Sequence, residues 1–363
     1  MDTGVDERSG VARGARRRSA RVRLWPVLPL AGAAWWVGGA LPWVLDGLGA
    51  QSPRDWPFDV ATGSATDGYI SLLPFTTARL GLLLTITLVA GGLAALAVLW
   101  VRPRGDRRLA ASTLASLGVL LAAAYSIAQS AGATRQLGGD FDRDDRVLLG
   151  VLAVAVVGTV VGLALGLLVV LGGPVLRALA AAPLAVALGS WVNALVVALA
   201  GLDRAIGVLR WTAVVVGVAA GLVLAGLGLR PVRRLLAWVA VLLVVSVAAA
   251  GQTAFSYLAA YLRPRTGLPD GLRDHVLASR DVFVAAVRPE NQAWGIHAVA
   301  LAVGILGSLV LWRRQGGPSS TSAPTKSAPT GSTPAGEGPS APEASTRHTP
   351  APADDRHVDA TIR

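Results

Sequence analysis

Three amide side chains stand where an amide is costly. Gln129, Asn193 and Gln252 fall within or at the ends of long apolar runs. A carboxamide buried at that depth can bond to a neighbouring helix, a contact worth about 1 kcal/mol. It can also meet a polar solute. Asn193, well inside "PLAVALGSWVNAL", is the most suggestive, and the three together are the candidate substrate-binding residues. The hydroxyls of Thr85, Ser126, Ser190 and Ser246 lie in the same runs, whereas no Asp, Glu, Lys or Arg does. Proton pumps rely on buried carboxylates or histidines and voltage sensors on arginine ladders, so both classes are disfavoured.

Carboxylates gather outside these runs. "GGDFDRDDR" carries Asp140, Asp142, Asp144 and Asp145 in the alternation of a calcium loop. Counted from Asp140, however, Asp145 stands where such a loop needs glycine and Val151 where it needs glutamate. Arg143 and Arg146 can neutralise part of the charge, which makes this a solvated loop. An outward active site built on Asp46, Asp55, Asp59 and this cluster is the one enzymatic reading. His275 and His297 sit in different elements, which argues against a metal or haem site. Gly-x-Ser-x-Gly, His-Glu-x-x-His and phosphate-loop patterns are all absent. No catalytic residue, metal ligand or cofactor is assigned.

The elements that must hold these side chains are transmembrane helices. Of 363 residues 53% are apolar and 15% charged, where a soluble chain carries about a quarter charged. Runs such as "LGLLLTITLVAGGLAALAVLW" from Leu80 are long enough to cross the ~30 Å hydrocarbon core as a helix. Eight spans are expected, at 24–45, 80–101, 109–130, 147–172, 178–200, 211–229, 235–257 and 294–312. The fifth is interrupted by Pro183, Ser190 and Asn193. The fold class is therefore all-α, a polytopic transmembrane bundle. A basic segment, 1–23, precedes the bundle. A Pro/Ser/Thr/Ala-rich tail, 313–363, follows it and is too poor in apolar residues to offset its chain entropy.

The net charge of +11 is almost entirely arginine, Lys326 being the only lysine. It clusters before the first span in "RSGVARGARRRSARVR" and in the loops "VRPRGDRR" and "RPVRR". That placement fits the positive-inside rule and lipid headgroups, not nucleic acid. It puts both termini on the cytoplasmic side of a cell membrane. Trp25, Trp100, Trp238 and Trp312 then mark inner ends and Trp43, Trp211 and Trp294 outer ends, at the headgroup level that indole prefers. The Arg- and Ala-rich composition resembles the codon bias of a GC-rich bacterial genome. With no cysteine, disulfides and thiol chemistry are excluded.

Two further patterns concern packing. Gly158, Gly162 and Gly166 recur every fourth residue in the fourth span, and Gly217, Gly221 and Ala225 do so in the sixth. Small residues so spaced let another helix approach closely. The chain also repeats itself loosely. "LWVRPRGDRRLAA" and "LGLRPVRRLLA" both lead into an outward-running helix that ends near a glutamine, Gln129 or Gln252. This suggests two parallel four-helix halves, 24–172 and 178–312, with any shared cavity between them. In the loop after Pro269, Leu272, Val276, Phe283 and Val287 share one face of an amphipathic helix, expected on the outer leaflet or capping the bundle.

The first expectation for activity is a non-enzymatic accessory or envelope-associated membrane protein. The alternatives are a permease-like transporter or channel, and a membrane enzyme. The lipid bilayer is the expected partner, joined by another membrane protein or a second copy of the chain. A solid bundle would favour the accessory reading, and a polar cavity between the halves would favour transport.

Overall fold

Without water, only a helix satisfies every backbone group within one apolar segment, and the apolar runs of this chain are helices throughout the described residues. The computed structural model describes residues 24–49, 71–101, 107–137, 144–201, 211–229, 231–262 and 271–315. The helices are α1 (Val27–Trp35), α2 (Leu41–Gly49), α3 (Leu80–Val101), α4 (Arg107–Leu137), α5 (Asp145–Leu171), α6 (Pro174–Ala200), α7 (Thr212–Leu227), α8 (Arg233–Ala259), α9 (Leu272–Val287) and α10 (Trp294–Gln315). The basic N-terminal segment, most of the first outer loop, Asp140 and Asp142, and the tail beyond Gln315 lie outside the described residues.

Each of the eight expected runs contains a helix. Seven helices are long and apolar enough to cross a membrane. The exception is α7, whose 16 residues reach about 24 Å. Leu149, Val157, Leu222, Leu236, Leu243 and Leu306 are all more than half exposed. Such a coat of large apolar side chains, carried by long apolar helices, is the surface of a membrane-spanning bundle.

Two apolar runs differ from the sequence expectation in the regularity of their helices. The first run is not one regular helix, because α1 and α2 are joined by a π-helical turn, Trp36–Ala40. Pro42, just beyond this turn, offers no N–H to the carbonyl one turn earlier, and the ladder there changes to π-type bonds. The indole of Trp191 on α6 donates to the Gly39 carbonyl at 3.1 Å and so ties the irregular turn to α6. The interruption expected at Pro183 is absent, for α6 runs unbroken through it.

The amphipathic segment does form a helix, but a different face docks. His275 and Ser279 of α9 are buried, while Leu272 and Val276 of the expected apolar stripe are about half exposed. Ser279 Oγ donates to the Ala254 carbonyl of α8 at 2.8 Å, and His275 packs edge-on against Tyr261. The small and polar face allows the closer approach to α8. The larger side chains are left to border an apolar groove with Leu80, Phe255 and Leu262. Farther along α8, Ser246 Oγ and His297 Nε2 of α10 are 2.9 Å apart. Ala254 and Ser246 are eight residues apart, about 12 Å along the helix. Thus α9 and α10 meet α8 at successive levels, with an elbow at 288–293 between them.

The two glycine rows lie at close helix contacts. Row Gly158–Gly162–Gly166 faces α3, where a Cβ at Gly166 would come within 2.7 Å of the Gly92 carbonyl. Row Gly217–Gly221 faces α10, where a Cβ at Gly221 would lie 2.8 Å from the Ala300 carbonyl. Gly307 of α10 completes that seam against Ala225. The most extensive packing in the bundle is α3 on α5 and α7 on α10. Contacts of α6 with α2, α3 and α5 join the earlier helices to the later ones.

Candidate functional site

Polar side chains from four segments converge at one place. Thr85 of α3, Ser190 and Asn193 of α6, and Gln252 of α8 line a cleft of about 540 Å³, with Pro42 and Asp46 of α2 on its wall. The order of these residues follows helical spacing. Ser190, Asn193 and Val197 stand three and four residues apart and so present one face of α6. Gln252 and Ser256 do the same on α8.

The polar groups form a chain. Ser190 Oγ donates to Gln252 Oε1 at 3.0 Å, and Gln252 Nε2 reaches Thr85 Oγ1 at 3.4 Å. Thr85 in turn donates to the Gly81 carbonyl at 2.9 Å, and Ser256 Oγ donates to the Gln252 carbonyl at 3.0 Å. Asn193 Oδ1 is buried with no protein partner. An amide oxygen in that state costs about 1–3 kcal/mol unless water or a ligand meets it. The site is therefore short of one donor.

Arg79 and Asp46 stand at one end of the cleft, with Arg79 Nη2 at 3.8 Å from Asp46 Oδ2. Both are substantially exposed, so their mutual attraction is weak, about 0.2–1 kcal/mol. Opposite charges held loosely at a rim remain available to a ligand. From Arg79 to Thr85 the polar lining extends about 9 Å along α3. Deeper than the pair, the lining carries hydroxyls and amides and no ionisable group. Such a surface can exchange hydrogen bonds with a small polar molecule. Among the lining residues no nucleophile is paired with a general base.

Of the three candidate amides, the structure brings Asn193 and Gln252 together and leaves Gln129 elsewhere. Gln129 Oε1 accepts from the Leu72 backbone N–H at 3.0 Å, and Ser130 Oγ accepts from Leu73 N–H at 2.9 Å. Trp43 Nε1 donates to the Ser71 carbonyl and Thr134 Oγ1 to the Phe75 carbonyl. Together they clamp residues 71–75 onto the bundle, with Leu73 and Phe75 buried. Asp144 also has a local role, since Oδ1 accepts from the N–H groups of Arg146 and Val147 and caps α5. Among the described residues, no three His, Asp or Glu side chains come together.

Sequence reasoning passed over Arg79, and it treated Thr85 and Ser190 only as polar residues at depth. The signal for Ser190 was its three-residue spacing from Asn193. For Arg79 there was none, because nothing in the sequence says that α2 and α3 meet at that end.

Comparison with known protein families, with curated proteins and with solved structures finds no match.

Proposed function

We propose that this chain is a permease-like membrane protein whose cleft between α2, α3, α6 and α8 binds a small polar solute. The observation that carries the reading is the buried, unpartnered Asn193 Oδ1 beside the Ser190–Gln252–Thr85 chain. A solid bundle would have favoured an accessory protein, and an enzyme would need a reactive pair, whereas the cleft offers hydrogen-bond partners and, at its rim, one loose ion pair. The test is thermal unfolding of the purified protein against a panel of small polar solutes, followed by uptake of any hit into liposomes. A hit should stabilise the wild type, and Asn193→Leu should abolish the shift. Stabilisation that is equal in Asn193→Leu, or binding without uptake, would count against this reading.

Two finer features belong to the same proposal. The first is a duplication of 24–172 and 178–312, supported by the matching order of packing. The second span packs on the fourth as the sixth packs on the eighth, and the first packs on the third as the fifth packs on the seventh. The second feature is a cell-membrane orientation with cytoplasmic termini. The described ends near Arg107, Arg177, Arg233 and Arg313 carry no acidic residue, while Asp46, Asp144, Asp274 and Glu290 lie toward the other end. At that other end Arg79, Arg135, Arg146, Arg273, Arg280 and Arg288 stand among the acidic residues. What supports the orientation is the concentration of arginine in the short connections "VRPRGDRR" and "RPVRR". Reporter fusions after Arg108 and Arg234 should read as cytoplasmic. An outward signal from either would reverse the orientation.

A further inference from the structure

A second cavity lies at the arginine-rich end, between α7 and α10 and away from the polar cleft. Its volume is about 350 Å³, and Ala225, Gly226, Leu227, Leu309 and Trp312 give it apolar walls. Two polar groups interrupt these walls. Arg234 Nη1 donates to the Leu227 carbonyl at 2.7 Å, which closes the end of α7 and fixes the guanidinium beside the groove. Only one of its N–H donors is used in that bond. One turn deeper than Trp312, Ser308 is 6% exposed and its Oγ has no partner.

We propose that this groove binds one anionic phospholipid, with the phosphate at Arg234 and an acyl chain along Ala225 and Leu227. The levels match the parts of such a lipid. Trp312 and Arg234 stand where a headgroup would lie, and Arg233, Arg313 and Arg314 at the adjoining helix ends add positive charge. Ser308 is about 6 Å deeper, at the level of an ester carbonyl that its hydroxyl would meet. No described acidic residue lies at this end to compete for the arginines. The slot is lined by apolar side chains along α7 and α10, which suits a hydrocarbon chain and not a soluble anion. Basic pockets between transmembrane helices are suited to anionic headgroups by charge and by the fork geometry of arginine.

The test uses the full-length protein in an uncharged detergent, with thermal unfolding measured after adding phosphatidylglycerol, phosphatidylcholine or inorganic phosphate. Phosphatidylglycerol should raise the midpoint by about 4 °C, while the other two leave it unchanged. Gly226→Leu should remove that response. A Cβ at Gly226 meets open space, so the side chain fills the groove without collision and without altering the arginines. Arg313→Gln with Arg314→Gln, which leaves the groove itself intact, should at least halve the response. An equal shift with phosphatidylcholine or with phosphate would overturn the proposal. So would an undiminished phosphatidylglycerol shift in either variant.

Discussion

Gln129 and Gln252 occupy comparable places, near the end of a long helix that begins with an Arg-Arg-Leu entry, yet they do opposite work. Gln129 receives the Leu72 N–H and helps pin a stretch of outer loop onto the helices. Gln252 meets only side chains, Ser190 and Thr85, at the edge of an open cleft. The amides are chemically identical, so the difference lies in what covers them. In the earlier helices residues 71–75 fill the space above α4 with Leu73 and Phe75. In the later helices, the clefted face of α6 and α8 looks onto α2 and α3, and no described segment fills that gap. Where the chain leaves a half-buried amide uncovered, its side chain borders an open cleft and not a backbone segment.

What the two regions share is close glycine packing, and its loss should cost most. Gly162 faces the backbone of Leu88, which cannot rotate away. Gly221 faces the Val303 side chain as well as the Ala300 carbonyl. Gly162→Ala should therefore destabilise by about 2–3 kcal/mol and Gly221→Ala by about 1–2 kcal/mol, since overpacking forces backbone shifts. Thermal unfolding in detergent measures both. A larger loss at Gly221 would mean that the α7–α10 seam is the less yielding of the two.

These seams and the helices they join were legible in the sequence because both follow from local rules. Twenty apolar residues without charge have one solution in lipid, and glycine every fourth residue puts a smooth stripe on one face. The docking face of α9 was not legible. Periodicity put Leu272 and Val276 on an apolar stripe, to face the outer leaflet or the bundle, and gave no sign that His275 and Ser279 would be the residues buried where α9 packs on α8. The cleft was half legible. Asn193 and Gln252 stood out as amides in apolar runs, whereas their meeting with Thr85 depends on contacts between α3, α6 and α8 that no local pattern encodes.

The amides themselves give the next largest contrast. Gln129→Leu removes the acceptor for the Leu72 N–H and should destabilise by about 1–2 kcal/mol, the cost of a poorly satisfied backbone donor. In Gln252→Leu, water entering the cleft can replace the lost partner of Ser190 and Thr85, so the loss should stay below about 0.5 kcal/mol. The order should reverse for solute binding, which Gln252→Leu abolishes and Gln129→Leu leaves intact. If both variants lose the same stability, the distinction between a structural amide and a binding amide fails.

The smallest effect separates two aspartates at the same end of the bundle. Asp144 is an N-cap whose Oδ1 takes two backbone N–H groups of α5, so Asp144→Ala should cost about 1 kcal/mol. Asp46 has a single long contact to an exposed arginine, and Asp46→Ala should change stability by a few tenths of a kcal/mol at most. Equilibrium unfolding of the two variants side by side measures the difference. The physical reason is the kind of partner that each carboxylate holds. An N–H at the start of a helix loses a pre-positioned acceptor and must turn to water, whereas a half-exposed guanidinium is already hydrated. A weak pair at the rim of a cleft is also one that a ligand can part at little cost. A loss above about 1 kcal/mol in Asp46→Ala would show the pair to be a structural clasp instead, closing α2 against α3.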